Sequence, residues 1–234
     1  MKQWKMFLVA SVLIYSSIFA QWEADQRLTN TPTSTFLASN NAWNVSASGD
    51  TVHAVFMEYE YGPSFIYYTH SYDGGASWST PVMLGPQDTC SLLYYTLTAS
   101  GSFVHVVWVS RWENKLIYCR SVNAGITWTS PAVIVNPGIH NVDSPCLAVN
   151  GNNVYLTWTH NPSGNMNSEI YFQRSSDYGA NWSTVQRLTN TAANIIDRDP
   201  SIAAFGNYIH LVWQRGPDYG ARVMYLRSIN NGTS

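Results

Sequence analysis

The octapeptide SYDGGASW at residues 71–78 returns as SVNAGITW at 121–128 and as SSDYGANW at 175–182, and SINNGTS at 228–234 matches seven positions of a fourth copy. The turn residues Asp73, Asn123, Asp177 and Asn230 lie 50, 54 and 53 residues apart. A fixed period of this length marks units that cannot bury an apolar face alone and must stack on their neighbours. More than the turn recurs. A glycine precedes it in each unit, at Gly49, Gly101, Gly151 and Gly206, followed four residues later by His53, His105, Tyr155 or His210. The segments TVHAVF, FVHVVW, NVYLTW and YIHLVW, and then FIYYTHS, LIYCRS, IYFQRS and VMYLRS, are β-branched and aromatic with no helical period. They read as strands. Each unit becomes four antiparallel strands, A to D, and four-stranded units in series make the blades of a β-propeller.

The turn chemistry argues for a structural role. An Asp or Asn side chain accepts hydrogen bonds from nearby backbone N–H groups. Gly75, Gly125, Gly179 and Gly232 permit positive φ. Trp78, Trp128 and Trp182 can cover the turn and fill space in the blade, and Ser71, Ser121, Ser175 and Ser228 open each copy. Asn at 123 and 230 suits a hydrogen-bonded turn and not a general acid. The in-register His53, His105 and His210 are expected as packing residues, since HxVW is not a metal spacing.

The pattern S-x-D-x-G-x-x-W resembles the Asp-box, or bacterial neuraminidase repeat, of the sialidase superfamily. The resemblance covers nearly all of residues 22–234. It implies an all-β propeller of four-stranded blades, here three full blades and most of a fourth from a six-bladed ring, with each box joining strands C and D on the face opposite the active site. The expected division is a signal peptide at 1–20, an N-terminal strand at 21–34 that closes the ring as outer strand of the last blade, blade 1 at 35–85, blade 2 at 86–135, blade 3 at 136–190 and a partial blade 4 at 191–234. The closing strand is expected because QRLTNT occurs both at 26–31 and at 186–191, each time four residues after a tryptophan, Trp22 or Trp182. The chain is expected to be an N-terminal piece of a longer protein; a closed four-bladed ring is the alternative.

Lys2 and Lys5, an apolar run from Met6 to Tyr15 and the small residue Ala20 make a secretory signal, so the product is expected outside the cell or at its surface. The run is shorter than the roughly 20 apolar residues a membrane span needs. Net charge is −2 and only 11% of residues are charged, with no basic stripe, which argues against nucleic acid. Ten Trp and fifteen Tyr among hydroxyl and amide side chains suit a weakly charged glycan or glycoprotein partner. Cys90, Cys119 and Cys146 form no metal spacing or disulfide framework, and no metal or cofactor is expected.

The resemblance places the functional face on the D–A and B–C loops. Its candidates are Glu58, Tyr59, Glu60, Arg111, Trp112, Asp143, His160, Asp197, Arg198, Asp199 and Arg215. A sialidase clamps its substrate carboxylate with arginines and uses a tyrosine nucleophile. The arginine that opens strand A in that family falls on Asn41 in blade 1, Leu93 in blade 2 and Asp143 in blade 3. Only blade 4 has arginine there, in Arg198-Asp199-Pro200, so Arg198 is the one catalytic candidate of sialidase type. The expectation is a sialidase-like, glycan-recognising protein without visible catalytic machinery. An exo-sialidase completed by further blades and a noncatalytic interaction or adhesion propeller are the alternatives.

Overall fold

The computed structural model of the chain describes residues 23–29, 34–38, 44–59, 64–85, 94–110, 113–136, 138, 141–162, 167–192, 195–217 and 220–234. The signal segment, Trp22 and Cys90 lie outside them. All regular structure among the described residues is strand, so no helix is long and apolar enough to cross a membrane. Residues 23–29, the described part of a separate unit at Met1–Asn30, carry no strand.

The second unit, Thr31–Ser234, is built of four antiparallel sheets in chain order. Blade 1 holds β1 (Ser34–Phe36), β2 (Val45–Ser48), β3 (Thr51–Tyr59), β4 (Ser64–Ser71) and β5 (Val82–Met83). Blade 2 holds β6 (Tyr95–Ser100), β7 (Phe103–Val109), β8 (Leu116–Ser121) and β9 (Ala132–Val135). Blade 3 holds β10 (Val142–Asn150), β11 (Asn153–His160), β12 (Glu169–Ser175) and β13 (Gln186–Arg187), and blade 4 holds β14 (Asp197–Phe205), β15 (Tyr208–Arg215) and β16 (Arg222–Ser228).

Blade 1 departs from the expected plan. Its innermost strand comes in two pieces on one edge of β3. β2 pairs with Thr51 to Ala54, and β1 pairs with Met57 to Tyr59. Ser34, expected at the end of the closing segment, therefore belongs to blade 1.

Each box folds the same way. Ser71 Oγ donates to Asp73 Oδ1 (2.7 Å) and accepts from the backbone N–H groups of Gly75 (2.8 Å) and Asp73 (3.3 Å). Asp73 Oδ1 accepts from Ser77 N (2.8 Å), and Oδ2 accepts from the Ser77 hydroxyl (2.6 Å). In the second box Asn123 Nδ2 instead donates to Thr127 Oγ1 (2.8 Å). A hydroxyl at that position can donate or accept, so Asp and Asn both satisfy the turn.

The apolar core lies between blades. One cluster joins Met57, Ile66 and Tyr68 to Leu97, Val106 and Trp108, a second joins Leu116 and Tyr118 to Leu156 and Trp158, and a third joins Ile170 and Phe172 to Ile209, Leu211 and Trp213. The box tryptophans serve these junctions. Trp128 packs edge-on against Tyr68 of blade 1 (4.7 Å between centroids), and Trp182 against Tyr118 of blade 2 (5.2 Å). Trp128 and Trp182 fill space between blades, and the expectation that they fill space in their own blade is corrected for these two. At the junction of blades 3 and 4 the same space is an apolar groove lined by Phe172, Leu188, Ile209, Leu211, Leu226 and Gly232.

The recurrent histidines are held within the blades. His53 Nδ1 lies 2.6 Å from the Tyr68 hydroxyl, His105 Nδ1 2.7 Å from that of Tyr118 and His210 Nδ1 2.9 Å from that of Tyr225. Burial pushes the His53 imidazole down to about 4 and that of His105 to about 3, with His70 and Arg120 adding to the shifts, so both rings are neutral at pH 7. Blade 3 replaces the pair by Tyr155 and Phe172, and Tyr155 OH donates instead to Asn231 Oδ1 of blade 4 (3.1 Å).

Two outcomes test this account. Trp128→Ala should cost about 3 kcal/mol in urea denaturation, and Trp78→Ala about half of that, because Trp78 packs on no ring among the described residues. Equal losses would show that the tryptophan serves only its own turn. The Asp73 carboxyl is held down to about 2 by the Ser71 and Ser77 hydrogen bonds. Its contribution is therefore present above about pH 4 and lost as pH falls toward 2. Asp73→Asn should leave the melting temperature at pH 7 nearly unchanged and remove that acid-side loss; a large loss at pH 7 would assign Asp73 another role.

Candidate functional site

Strand direction sorts the loops. The A–B turns at Gly49, Gly101, Gly151 and Gly206 and the four boxes lie at one end of the blades. That end is filled by structural hydrogen bonds. The opposite end carries the B–C and D–A loops and the first residues of β6, β10 and β14.

At this end a recess of about 200 Å³ opens between blades 2 and 3, lined by Tyr94, Val109, Ser110, Asn114, Asn141, Val142 and Asp143. Asp143 sits at the start of β10, opposite Thr159 of β11. Burial pushes its carboxyl up to about 6; Asp199 adds to the rise, while hydrogen bonds from Ser144 and Thr159 and the charge of Arg198 oppose it. Burial raises the Tyr94 hydroxyl as well, with Asp143 and Asp199 contributing.

The backbone here is irregular in the same way twice. β10 has a bulge between Asp143 and Cys146, and β14 has one between Arg198 and Ser201. Ser144 and Asp199 occupy equivalent places, each just before a proline, with φ of 51° and 52°. A residue before proline favours extended backbone, and a non-glycine residue at positive φ is strained. Cross-blade bonds hold the conformation: Ser144 Oγ donates to Asp199 Oδ1 (2.9 Å), and Asp199 N donates to Thr159 Oγ1 (3.2 Å). Arg198 Nε lies 3.7 Å from Asp199 Oδ2.

The other candidates separate from this cluster. Asp197 is fully buried and receives two bonds from Arg215, Nε to Oδ1 (2.6 Å) and an Nη to Oδ2 (2.7 Å). This pairing raises the Arg215 guanidinium above its ordinary value. His160 is buried at the end of β11, its Nδ1 3.2 Å from the Asn141 carbonyl, with Tyr171 edge-on at 5.1 Å. It thereby contacts the backbone of Asn141, a residue that lines the recess. Glu58 is buried and Tyr59 half-buried on β3, away from the recess. Glu60, Arg111 and Trp112 lie outside the described residues, as do Asn41 and Leu93.

Sequence reasoning missed four groups. Tyr94, Ser110 and Asn141 line the recess, and Glu169, itself fully buried, forms a second ion pair with the partly exposed Arg187 (2.6 Å). Tyr94 was findable, because it occupies the strand-A position equivalent to Ser144 and Asp199. Among the described residues no three His, Cys, Asp or Glu side chains are grouped as metal ligands.

The sequence matches no protein-family model and no curated protein. Solved structures do match. The α-L-arabinanase of Penicillium chrysogenum, complexed with arabinobiose, superposes with a TM-score of 0.55 at 16% identity over 77% of this chain and 60% of that chain. The α-L-arabinofuranosidase Arb93A from Fusarium graminearum gives 0.56 at 20% identity over 83% and 66%. The GH32 β-fructofuranosidase BmSUC1 of Bombyx mori gives 0.52 at 13% identity over 80% and 45%.

The chain folds as a β-propeller. At these identities the likeness is one of fold, and the chain spans less than two thirds of each of these three structures.

The propeller places a half-buried carboxyl at the start of strand A, at the end of the blades opposite the boxes. Asp143 has a folded-state pKa above the ordinary carboxyl value, so its contribution to stability is present below about pH 4 and lost as pH rises through 6. Asp143→Asn should therefore stabilise the protein at pH 7 by about 1–2 kcal/mol in urea denaturation. The gain should vanish below about pH 4. Destabilisation at pH 7 would mean that the fold requires the charged carboxylate.

Proposed function

We propose that this propeller is an exported glycan-recognising protein whose sugar site is the recess at Tyr94, Ser110, Asn141 and Asp143. The observation that carries the reading is the half-buried Asp143 carboxyl, which the nearby Asp199 carboxyl helps to raise to about 6, in a recess lined also by Tyr94, Ser110, two asparagines and two valines. Below that pH Asp143 presents a proton to a sugar oxygen, and above it a charge. Tyr94 offers a ring face, and Asn114 and Asn141 offer donors and acceptors for hydroxyls. Sugar sites combine these elements: an aromatic surface with a few polar groups that fix orientation.

The same pair outlines a glycoside hydrolase. Asp143 would protonate the leaving oxygen, and Asp199, positioned by Ser144, would serve as the second carboxylate. The proposed activity is glycan binding, with hydrolysis as its extension. The arabinose- and fructose-acting enzymes that share the fold agree with a sugar-directed face. An exo-sialidase is the second reading. It rests on Arg198 at the start of β14 and needs a tyrosine nucleophile and further arginines. Export rests on the sequence of residues 1–20.

The test is retention on a glycan array, paired with a panel of nitrophenyl glycosides, across pH 4.5–8. Binding should fall with an inflection near pH 6. Asp143→Asn should bind without that inflection and should release no nitrophenol. Protein that is folded by circular dichroism yet retained on no glycan at any pH would refute the glycan reading and favour the interaction scaffold.

A further inference from the structure

We infer that the recess selects uncharged sugars and turns away anionic ones such as sialosides and uronosides. The inference rests on the recess being a sugar site and adds the class of sugar. It follows from where the charges of the described residues at this end of the propeller are committed.

An anionic sugar needs a guanidinium or ammonium free to meet its carboxylate, because a planar bidentate pair is what holds that group. Two arginines at this end of blades 3 and 4 already answer to protein carboxylates. Arg215 gives two bonds to Asp197, and Arg187 gives one to Glu169 (2.6 Å) and another to the Thr189 carbonyl (2.8 Å). Both carboxylates are fully buried. Glu169 is satisfied further by the Thr189 hydroxyl and by the Thr191 backbone N–H (2.8 Å). Turning either arginine toward a ligand would strand a buried charge, which is costly. Arg198 Nε lies 3.7 Å from Asp199 Oδ2 and its charge acts on Asp143, and Lys115 lies 2.9 Å from Glu113.

The recess itself brings acidic groups toward the ligand. Asp143 lines it, and Asp199 is close enough to act electrostatically on both Asp143 and Tyr94. A ligand carboxylate would meet like charge in a half-buried site, where repulsion is less screened than in water. A sugar hydroxyl meets the opposite situation, since it can donate to a carboxylate and accept from an amide or phenol. The volume of about 200 Å³ is below the roughly 300–1,000 Å³ of sites for drug-sized ligands, so the occupant is about one sugar ring.

The experiment uses the full chain on an array of matched glycan pairs, each core printed with and without a terminal sialic acid or uronic acid, at pH 7 and low salt. Lactose with 3′-sialyllactose and arabinobiose with a uronic-acid disaccharide are then titrated calorimetrically. The uncharged member of a pair should bind at least tenfold more tightly. Asp199→Asn should narrow that gap at least threefold, and raised salt should narrow it too; thermal melts confirm that the variant is folded. Should Asp199→Asn not fold, the salt dependence of the wild-type gap supplies the same readout. Preference for the sialylated member, lost in Arg198→Ala, would overturn the inference while leaving the sugar site intact. Retention of no glycan would overturn the site and the inference together, and the two failures are distinct.

Discussion

The architecture depends on the contact between an aromatic ring of one blade and a glycine in the turn of the next. A Cβ placed on Gly125 would sit 1.8 Å from the Tyr68 hydroxyl, and one on Gly179 would sit 1.9 Å from that of Tyr118. Neither space nor backbone permits a side chain there, since both glycines have positive φ, at 90° and 78°. The ring therefore reaches the backbone of its neighbour and meets the tryptophan three residues further on. Trp128 also binds its own turn, its Nε1 donating to the Gly125 carbonyl (3.2 Å). One turn thus closes two strands of its own blade and seals the junction with the blade before it. Each blade has its apolar surface buried by its neighbours rather than within itself, which is the energetic meaning of a repeat.

The box end is thereby used up. Its serines, acids, glycines and tryptophans each have structural partners, and change there is limited to pairs that keep the bonding, such as Asp for Asn. The coupled replacement of His and Tyr by Tyr155 and Phe172 in blade 3 follows the same logic. Once the ring partner loses its hydroxyl, a neutral imidazole has no bond to make, and a tyrosine reaching Asn231 replaces it. The opposite end carries no such repeat. Its loops differ in length and sequence from blade to blade, and chemistry can accumulate there without breaking a junction.

Much of this was legible in the sequence because it is local or periodic. The period placed β3, β7, β11 and β15 and the strands that follow them, and the Asn at 123 identified the acid as a turn residue. Contacts between distant residues were not legible. The aromatic at 68, 118 and 172 recurs three residues before each box serine, yet only the packed blades show that Tyr68 and Tyr118 face the tryptophan of the next unit. The split inner edge of blade 1 breaks the pattern, so no period announces β1. Burial of acids was hidden too. Asp197 and Asp143 lie on two successive blades at the same end of their strands, and sequence reads both as loop carboxylates. One is neutralised by Arg215 and serves the fold; the other lacks such a clamp and faces the recess.

That difference is one of register at the bulged starts of β10 and β14: Asp143 matches Arg198, and Asp197 matches Val142. A regular strand would alternate its side chains toward the two neighbouring blades. The extra residue in each bulge changes that alternation where the inner strand meets the open end, and such bulges commonly re-aim side chains beside functional sites. Ser144 and Asp199 carry the conformational cost, each at positive φ before a proline, and the bond between them ties the two bulges together. The two strained positions support each other across the blade junction, and the recess opens beside them. Strain repeated at the same register in two blades, held by side chains that no box requires, is a feature that the fold alone does not demand.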